Sequence, residues 1–172
     1  MNEKLTVLFK QQQVKQTINR LAREIKKDYK GKNPLLICIL KGSFIFMADL
    51  IRQMNTPLEV DFVKLSSYGS NKTTSGKVKM IQGLNTPIKG RDVLVVEDII
   101  DTGLTISALL DYLGKKKPAS LKLCALADKP SRRKVTVAID YLGFTVPDKF
   151  IIGYGIDWDE KFRYLPNICY LD

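Results

Sequence analysis

The spacing of apolar residues near the amino terminus predicts an amphipathic helix. Between positions 12 and 27, apolar residues recur three or four positions apart, at Val14, Ile18, Leu21, Ala22 and Ile25. Lysines and Arg20 occupy the positions between them. Because an α-helix completes a turn in ~3.6 residues, these apolar side chains share one face, and the helix is expected to pack that face on a core.

A short apolar run followed by a segment of helical period predicts a strand and then a second helix. The run PLLICIL (34–40) has no charged residue and begins at a proline. Ser43 follows it and is expected to cap a helix. That helix would bury a set of apolar residues at helical spacing, namely Met47, Leu50, Ile51 and Met54.

The middle of the chain alternates between apolar and polar segments. A strand is expected at 59–66, and it leads into SSYGSNKTTSGK (66–77). That segment is polar, contains glycine and lacks both acidic residues and an apolar period, which predicts a mobile loop. A further strand is expected near 78–82.

The stretch VLVVEDIIDTGLTISALLDYL (93–113) changes its period in the middle. A run rich in β-branched residues gives way to apolar residues at helical spacing, namely Ile106, Leu109, Leu110 and Leu113. The change falls at Asp101-Thr102-Gly103. The pattern therefore predicts a strand, a tight turn and a helix.

Three later segments predict more strands: LKLCALA (121–127), VTVAID (135–140) and KFIIGY (149–154). Gly143 and Pro147 separate the last two. Strands that alternate with helices over the first two-thirds of the chain predict the α/β class, with a mainly parallel twisted sheet flanked by helices on both faces. No linker interrupts the pattern, so residues 1–172 are expected to form a single domain.

Composition fits this picture. A chain of 172 residues with 45% hydrophobic content can bury a core and still carry a ligand cleft. No window reaches the ~18 apolar residues of a membrane span, and the start lacks the apolar centre of a signal peptide, so a cytoplasmic location is expected. The three cysteines are scattered among apolar residues and are expected to be reduced core thiols: Cys38, Cys124 and Cys169.

Charge and the absence of histidine limit the chemistry. Without histidine, Ser-His-Asp and Cys-His hydrolysis and the usual mixed zinc sites are excluded. Carboxylates, lysines and backbone groups must carry any catalysis. The net charge of +10 fits nucleic acid, a membrane surface or phosphorylated small molecules as partners, and a solvated lysine-rich surface explains it equally well.

The turn DTGLT (101–105) has the composition of a phosphate site. A strand that ends in a tight turn and opens a helix points backbone N–H groups and a helix dipole at one spot. An ordinary capped turn fits these residues as well. Glu97 and Asp98 favour a phosphate-sugar ligand, because two acids at the end of an apolar strand are costly unless they meet hydroxyls or a metal. Neither the Walker A nor the G-x-G-x-x-G spacing is present.

The segment VLVVEDIIDTGLT (93–105) closely resembles the signature of the type I phosphoribosyltransferases. Further segments resemble, in order, the motifs of that family's hypoxanthine-guanine branch: LKGSFIFMADL (40–50), VDFVKLSSYG (60–69), LADKP (126–130) and VPDKFIIGYGIDWDEKFR (146–163). The resemblance implies a parallel-sheet core with a small hood built from the chain ends. It implies a purine salvage enzyme that transfers the 5-phosphoribosyl group of phosphoribosyl pyrophosphate to N9 of hypoxanthine or guanine, giving IMP or GMP and pyrophosphate, with Mg²⁺ as cofactor.

The same resemblance assigns the phosphoribosyl site. Asp101 would be the general base that accepts the proton of purine N7, and helix capping is its alternative role. The phosphoribosyl group would bind Glu97, Asp98, Asp101, Thr102, Gly103, Leu104 and Thr105. Some relatives carry lysine where this chain has Leu104, so a weaker attraction for phosphate is expected there. The acids implied as metal ligands are Glu97, Asp98 and Asp157.

The resemblance places pyrophosphate on Lys41, Gly42 and Arg163. The loop Leu40-Lys41-Gly42 commonly contains a cis peptide between its leading residues in the family. Arg163 would hold pyrophosphate through two parallel hydrogen bonds. The alternatives are an exposed lysine at a helix entrance and an exposed ion-pair partner.

The purine site implied by the family comprises Lys129, Phe150, Ile151 and Asp157. Lys129 would donate to O6, and its ammonium group has no lone pair with which to accept from the 6-amino group of adenine. Phe150 would stack on the base, Ile151 would offer its backbone carbonyl, and Asp157 would lie near N2 and magnesium. A surface lysine and core packing of the two apolar residues are the alternatives.

Several residues and partners complete the interpretation. Ser67 and Tyr68 would belong to a loop that closes over the transition state. The neighbouring cations Arg132, Arg133 and Lys134 are interpreted as solvated charge. A homodimer or homotetramer is expected, without membrane or nucleic-acid partners. A nucleic-acid-binding regulator with the same fold, and an enzyme specific for xanthine or a pyrimidine, are the alternatives to be distinguished.

Overall fold

A computed structural model describes residues 5–67 and 78–171 of the chain. The helices and strands follow in the order β1 (Leu5–Phe9), α1 (Gln11–Asp28), β2 (Leu35–Leu40), α2 (Phe44–Met54), β3 (Glu59–Ser67), β4 (Val78–Gln82), β5 (Asp92–Ile100), α3 (Leu104–Gly114), β6 (Ser120–Asp128), a 3₁₀ turn (Pro130–Arg132), β7 (Tyr141–Thr145), β8 (Phe150–Ile152) and β9 (Ile168–Leu171).

The central sheet has six strands in the order β4-β3-β2-β5-β6-β7. Strands β3, β2, β5, β6 and β7 run parallel to one another, and β4 is antiparallel to β3. Strands β2 and β5 lie in the middle; β2 is entirely apolar, and β5 is apolar over 93–96 before Glu97 and Asp98. Such continuous apolar strands are typical of parallel sheets that are covered on both faces, so the predicted sheet is confirmed.

Helices cover the two faces of the sheet. The apolar stripe of α1 is buried as predicted, and it packs with α2 against alternate residues of β2 and β5, such as Leu36 and Leu94. The intervening residues, such as Ile37 and Val95, pack with α3 on the other face. The alternation arises because successive side chains of a strand point to opposite sides of the sheet.

A second, small sheet is built from the two ends of the chain. Its strand order is β1-β9-β8, and both pairs are antiparallel. The ring of Phe9 stacks on Phe144 of β7 with 4.0 Å between ring centroids, which joins this sheet to the edge of the central one. This small sheet is the hood that the family resemblance implied.

The strand predicted at 135–140 is wrong. Val137 and Ile139 are half-buried, as their alternation suggested, but the backbone does not join the sheet. The Lys134 and Val135 amides donate to Thr102 O instead, at 2.9 and 3.3 Å. The segment between β6 and β7 therefore contacts the turn after β5.

The strand forms later, at β7, where Gly143 was interpreted as a separator. A side chain at Gly143 would place its Cβ 2.3 Å from Leu126 O of β6. The glycine therefore permits a close approach between two strands.

Helix α2 begins differently from the expectation. Ser43 occupies the N-cap position, but its hydroxyl donates back to Ile39 O at 2.5 Å and does not cap the helix. Phe46, absent from the predicted set, is fully buried, and Ile51 is only half-buried. Leu110 of α3 is likewise half-buried.

The cysteines behave as predicted, since all three are buried and unpaired. Among the helices of the described residues, none is both long enough and apolar enough to span a bilayer.

Candidate active site

The predicted site residues converge at the carboxyl edge of the central sheet. Strands β2, β5 and β6 are parallel, so the segments that follow them leave from the same edge. The segment after β8 reaches this edge as well, because a Cβ on Gly155 would lie 2.3 Å from Gly42 O. Loops from distant parts of the sequence are thereby brought into contact.

Glu97 and Asp98 lie next to each other at this edge and are half-buried. A Cβ at position 42 would lie 1.6 Å from Asp98 Oδ2, so only glycine fits against that carboxylate. Burial raises the pKa of Glu97 well above its usual range, and the neighbouring Asp98 raises that pKa further. Burial also raises the pKa of Asp98. Glu97 Oε2 is buried with no hydrogen-bond partner, and hydroxyl groups or a cation would satisfy it.

The turn after β5 forms a small cavity of about 160 Å³, lined by Glu97, Ile99, Ile100, Asp101, Thr102, Gly103, Thr105 and Ile106. Gly103 has a φ of 82°, and a Cβ there would lie 2.9 Å from Val135 O. Helix α3 begins at the next residue, and its first amide, Leu104 N, donates to Thr102 Oγ1 at 3.4 Å, so Asp101 does not cap it. A cavity at a helix start suits an anion such as phosphate.

Asp101 is flanked by two arginines. Its Oδ1 lies 3.2 Å from Arg132 Nε, although without hydrogen-bond geometry, and its side chain is 42% exposed. Arg133 Nη1 donates to Asp101 O at 3.1 Å, and Nη2 pairs with the carboxylate of Asp128. The interpretation as solvated charge is therefore wrong for Arg133, whose side chain is only 18% exposed. Arg132 and Lys134 are exposed, as that interpretation expected, although Arg132 also pairs with Asp101.

Lys129 is buried, with only 6% of its surface exposed. Its Nζ donates to Lys149 O at 2.8 Å, immediately before β8. Its backbone amide donates to Ile100 O at 2.9 Å, which ties the end of β6 to the end of β5. The alternative of a surface lysine is therefore wrong.

Phe150 is 51% exposed, so the alternative of core packing is wrong for this residue. Its ring meets Trp158 edge to face, with 6.4 Å between centroids. Trp158 in turn stacks on Phe162 at 6.5 Å. The side chain of Ile151 is buried, as core packing requires, and the role of its carbonyl stays a prediction.

The cations expected to bind pyrophosphate lie close together. Arg163 Nη1 donates to Gly155 O at 2.8 Å, and Nη2 lies 2.8 Å from Asp157 Oδ1. Both Arg163 and Lys41 contact the carboxylate of Glu160, at 3.0 and 2.6 Å. Hydrogen bonds from Lys41 and then Arg163 hold the pKa of Glu160 below its usual range. The Leu40–Lys41 peptide is cis, in agreement with the family pattern.

The predicted closing loop falls largely outside the residues that the structure describes. Ser67 ends β3, its side chain is not described, and Tyr68 and most of the predicted loop at 66–77 fall outside the described residues. The closing loop therefore stays a prediction. Within residues 5–67 and 78–171, no three acidic or cysteine side chains converge as a metal site.

Sequence reasoning missed Glu160, Arg133 and Trp158 as parts of the site. For Glu160 the available signal was its spacing of three residues from Arg163, which by itself indicates only a local ion pair. The contact between Glu160 and Lys41 spans 119 residues of sequence, so no local pattern announces it.

Comparisons with known proteins agree with this geometry. Residues 5–159 match the family model described as a phosphoribosyl transferase domain. The chain is 45% identical over 170 residues to a hypoxanthine phosphoribosyltransferase from Salmonella typhimurium, covering 98% of this chain and 96% of that protein. It is 46% identical to the bifunctional protein TilS/HprT from Listeria monocytogenes over 97% of this chain, but spans only 26% of that longer protein.

Solved structures give the same result. A hypoxanthine-guanine phosphoribosyltransferase from Bacillus anthracis superposes with a TM-score of 0.92 at 46% identity, covering 97% of this chain and 98% of that chain. A hypoxanthine phosphoribosyltransferase from Staphylococcus aureus gives a TM-score of 0.93 at 39% identity, covering 97% of this chain and 91% of that chain. By sequence, by fold and by the residues gathered at the edge of its sheet, the chain belongs to the phosphoribosyltransferase family, within its hypoxanthine-guanine branch.

Proposed function

We propose that the protein transfers the 5-phosphoribosyl group of phosphoribosyl pyrophosphate to N9 of hypoxanthine or guanine and releases pyrophosphate. The observation that carries this proposal is that buried Lys129 donates through Nζ to Lys149 O, the carbonyl that immediately precedes the exposed Phe150. A fixed donor next to an open aromatic face suits a 6-oxopurine. Adenine would present its 6-amino group there, which cannot accept a hydrogen bond from the ammonium.

The purine would stack on Phe150 while Lys129 donates to its O6. Asp101 would then accept the N7 proton as N9 attacks the ribose. General-base assistance of this kind contributes roughly 10²–10⁴ in rate. Because the Asp101 side chain is partly exposed at the mouth of the turn, it can reach a bound base without rearrangement of β5.

The remaining groups would hold the sugar and the leaving group. Glu97 and Asp98 would accept hydrogen bonds from the ribose hydroxyls, and the start of α3 would bind the 5′-phosphate. Lys41 and Arg163 would stabilise the charge that develops on pyrophosphate as it departs. Such an arrangement would hold the reactants in line, and positioning of this kind contributes more to the rate than any single group.

We propose Mg²⁺ as the cofactor, supplying charge neutralisation to the pyrophosphate. The unpartnered Glu97 oxygen and the buried Asp98 carboxylate fit a cation near the ribose. Asp157 already accepts from Arg163 and from the Glu160 amide, so it would act through water. Since the described residues hold no complete acidic cluster, the substrate and water would provide the other ligands. Activity that persists in excess chelator would contradict this proposal.

We further propose a cytoplasmic homodimer or homotetramer. Phe44 and Phe62 are exposed by 44% and 39%, and a protein partner would cover such side chains. Light scattering coupled to size exclusion would measure the mass in solution, and a monomer at working concentration would refute the assembly.

A base panel tests the proposed function. Nucleotide formation would be measured with phosphoribosyl pyrophosphate and magnesium for hypoxanthine, guanine, xanthine, adenine and uracil. We expect product with hypoxanthine, guanine or both, and little with adenine and uracil. Equal turnover of adenine would remove the specificity argument, and no turnover of any base would refute the enzyme.

A further inference from the structure

Both cations expected to bind pyrophosphate are paired with the same carboxylate. Glu160 Oε1 lies 2.6 Å from Lys41 Nζ, and Glu160 Oε2 lies 3.0 Å from Arg163 Nη2. Each oxygen of the Glu160 carboxylate therefore pairs with one of the two cations. A pyrophosphate group would present its oxygens to the same two donors, so the carboxylate and the ligand compete for them.

The backbone directs this side chain toward the cations. Glu160 has a φ of 61°, in the left-handed region that residues with a side chain seldom adopt. Its amide donates to Asp157 Oδ2 at 2.8 Å, and the Trp158 and Lys161 backbones bond to each other around it. The turn thus presents the carboxylate from the segment that also carries Arg163.

The side chain is nevertheless free to leave. The Glu160 side chain is 63% exposed. Arg163 has further partners in Gly155 O and Asp157, so it stays oriented when Glu160 withdraws. An exposed carboxylate that can move away from an arginine held by other partners can act as a displaceable counter-ion.

We infer that Glu160 is an internal counter-anion, which occupies Lys41 and Arg163 in the empty site and sets the affinity for pyrophosphate by competing with it. The inference rests on the proposed function, because it concerns the same leaving-group site. Binding of pyrophosphate breaks both ion pairs, so the affinity is lower than the two cations alone would give. Weaker binding favours release of the product.

The competing explanation is that Glu160 is a positioning residue for the two cations. If Glu160 served to aim Lys41 and Arg163, its removal would leave both cations disordered and would weaken pyrophosphate binding. The two roles therefore predict opposite changes in the dissociation constant.

The test is direct binding of magnesium pyrophosphate to Glu160→Gln and wild-type protein by calorimetry. We expect the dissociation constant to fall about 3- to 10-fold in the variant, since two partly exposed ion pairs no longer oppose binding. Glu160→Gln should also show stronger inhibition by pyrophosphate in the forward reaction.

Asp159→Asn is the matched control. It makes the same change in net charge in the same turn, and Asp159 is 78% exposed and pairs with Lys161 rather than with Lys41 or Arg163. We expect a change of less than about 2-fold for this variant. Thermal melts of both variants would verify that they fold.

Each outcome decides the inference. Tighter binding in Glu160→Gln alone supports it. Unchanged or weaker binding overturns it, and so does an equal gain in Asp159→Asn, which would show a general charge effect. If wild-type protein binds no pyrophosphate, the proposed function fails instead, so the two failures are distinguishable.

Discussion

Replacement of Lys129 by alanine tests the assignment of the purine site. The ammonium is almost fully buried, and its contact with Lys149 O fixes it at the start of β8. Lys129→Ala would leave purine O6 without a donor in a partly dry pocket. Loss of a hydrogen bond that involves a charged group costs about 1.5–3 kcal/mol. That energy corresponds to roughly 10- to 150-fold in kcat/KM.

Steady-state kinetics with the base as the varied substrate measure this loss. We expect it for hypoxanthine and guanine, with the KM for phosphoribosyl pyrophosphate nearly unchanged, since the proposed sugar site consists of the acids of β5 and the turn after it. The ratio of kcat/KM for hypoxanthine to kcat/KM for adenine should fall. Lys134→Ala is the control, because Lys134 is exposed and lies in the same connection between β6 and β7.

Two results would refute the reasoning. An equal loss for every base would show that Lys129 does not read O6. A loss of efficiency seen only with phosphoribosyl pyrophosphate as the varied substrate would show that the ammonium contacts that substrate and not the base. Salt-dependent RNA binding of the same variant would address the regulator alternative, for which removing one lysine weakens polyanion binding without dependence on the base.

Three further predictions concern the turn, the loop and acid stability. Asp101→Asn should keep phosphoribosyl pyrophosphate binding but lower turnover by roughly 10–10³-fold, because the amide cannot accept the N7 proton; unchanged turnover would remove Asp101 from this role. Gly42→Ala should lower the free energy of unfolding by about 1–3 kcal/mol in denaturant titrations, because its Cβ would lie 1.6 Å from Asp98 Oδ2. Hydrogen bonds from Tyr141 and then Lys122 lower the pKa of Asp28 from 3.8, so its stabilising effect is present above that value and is lost as pH falls through the lower folded pKa.

The last two predictions have simple controls. Gly114→Ala places its Cβ where nothing lies within 4 Å, and it should not destabilise the protein. A Gly42→Ala variant as stable as Gly114→Ala would show that the loop can relax. For acid stability, Asp28→Asn should flatten the fall of unfolding free energy at acid pH, and an unchanged profile would remove Asp28 as a contributor.

Local patterns explain the elements that were predicted well. Helix α1 buries the same apolar stripe that its period indicated, and the change of period at the turn after β5 marks the start of α3 within one residue. The turn after β5 could be located because glycine and the flanking period leave few other conformations. These features depend on neighbours within a few positions.

The incorrect predictions share a different cause. Segment 135–140 has the alternation of a strand, but the Lys134 and Val135 amides at its start donate to the carbonyl of Thr102. The hydroxyl of Ser43 donates to Ile39 O, four residues earlier, and does not cap α2. In both places a competing hydrogen bond, distant in sequence for the first and local for the second, replaced the one that the pattern assumed.

The sequence by itself determined the fold class and the order of helices and strands from α1 to β6, and its motifs resembling a known family supplied the predictions of site residues. The tertiary structure decided which charges meet: Lys129 is buried rather than exposed, Arg132 and Arg133 fold onto the turn, and Glu160 holds Lys41 across 119 residues. The physical reason is the separation in sequence between the residues that interact. Periodicity and turn chemistry are set by neighbouring residues, whereas an ion pair forms wherever the sheet brings two loops to a common edge.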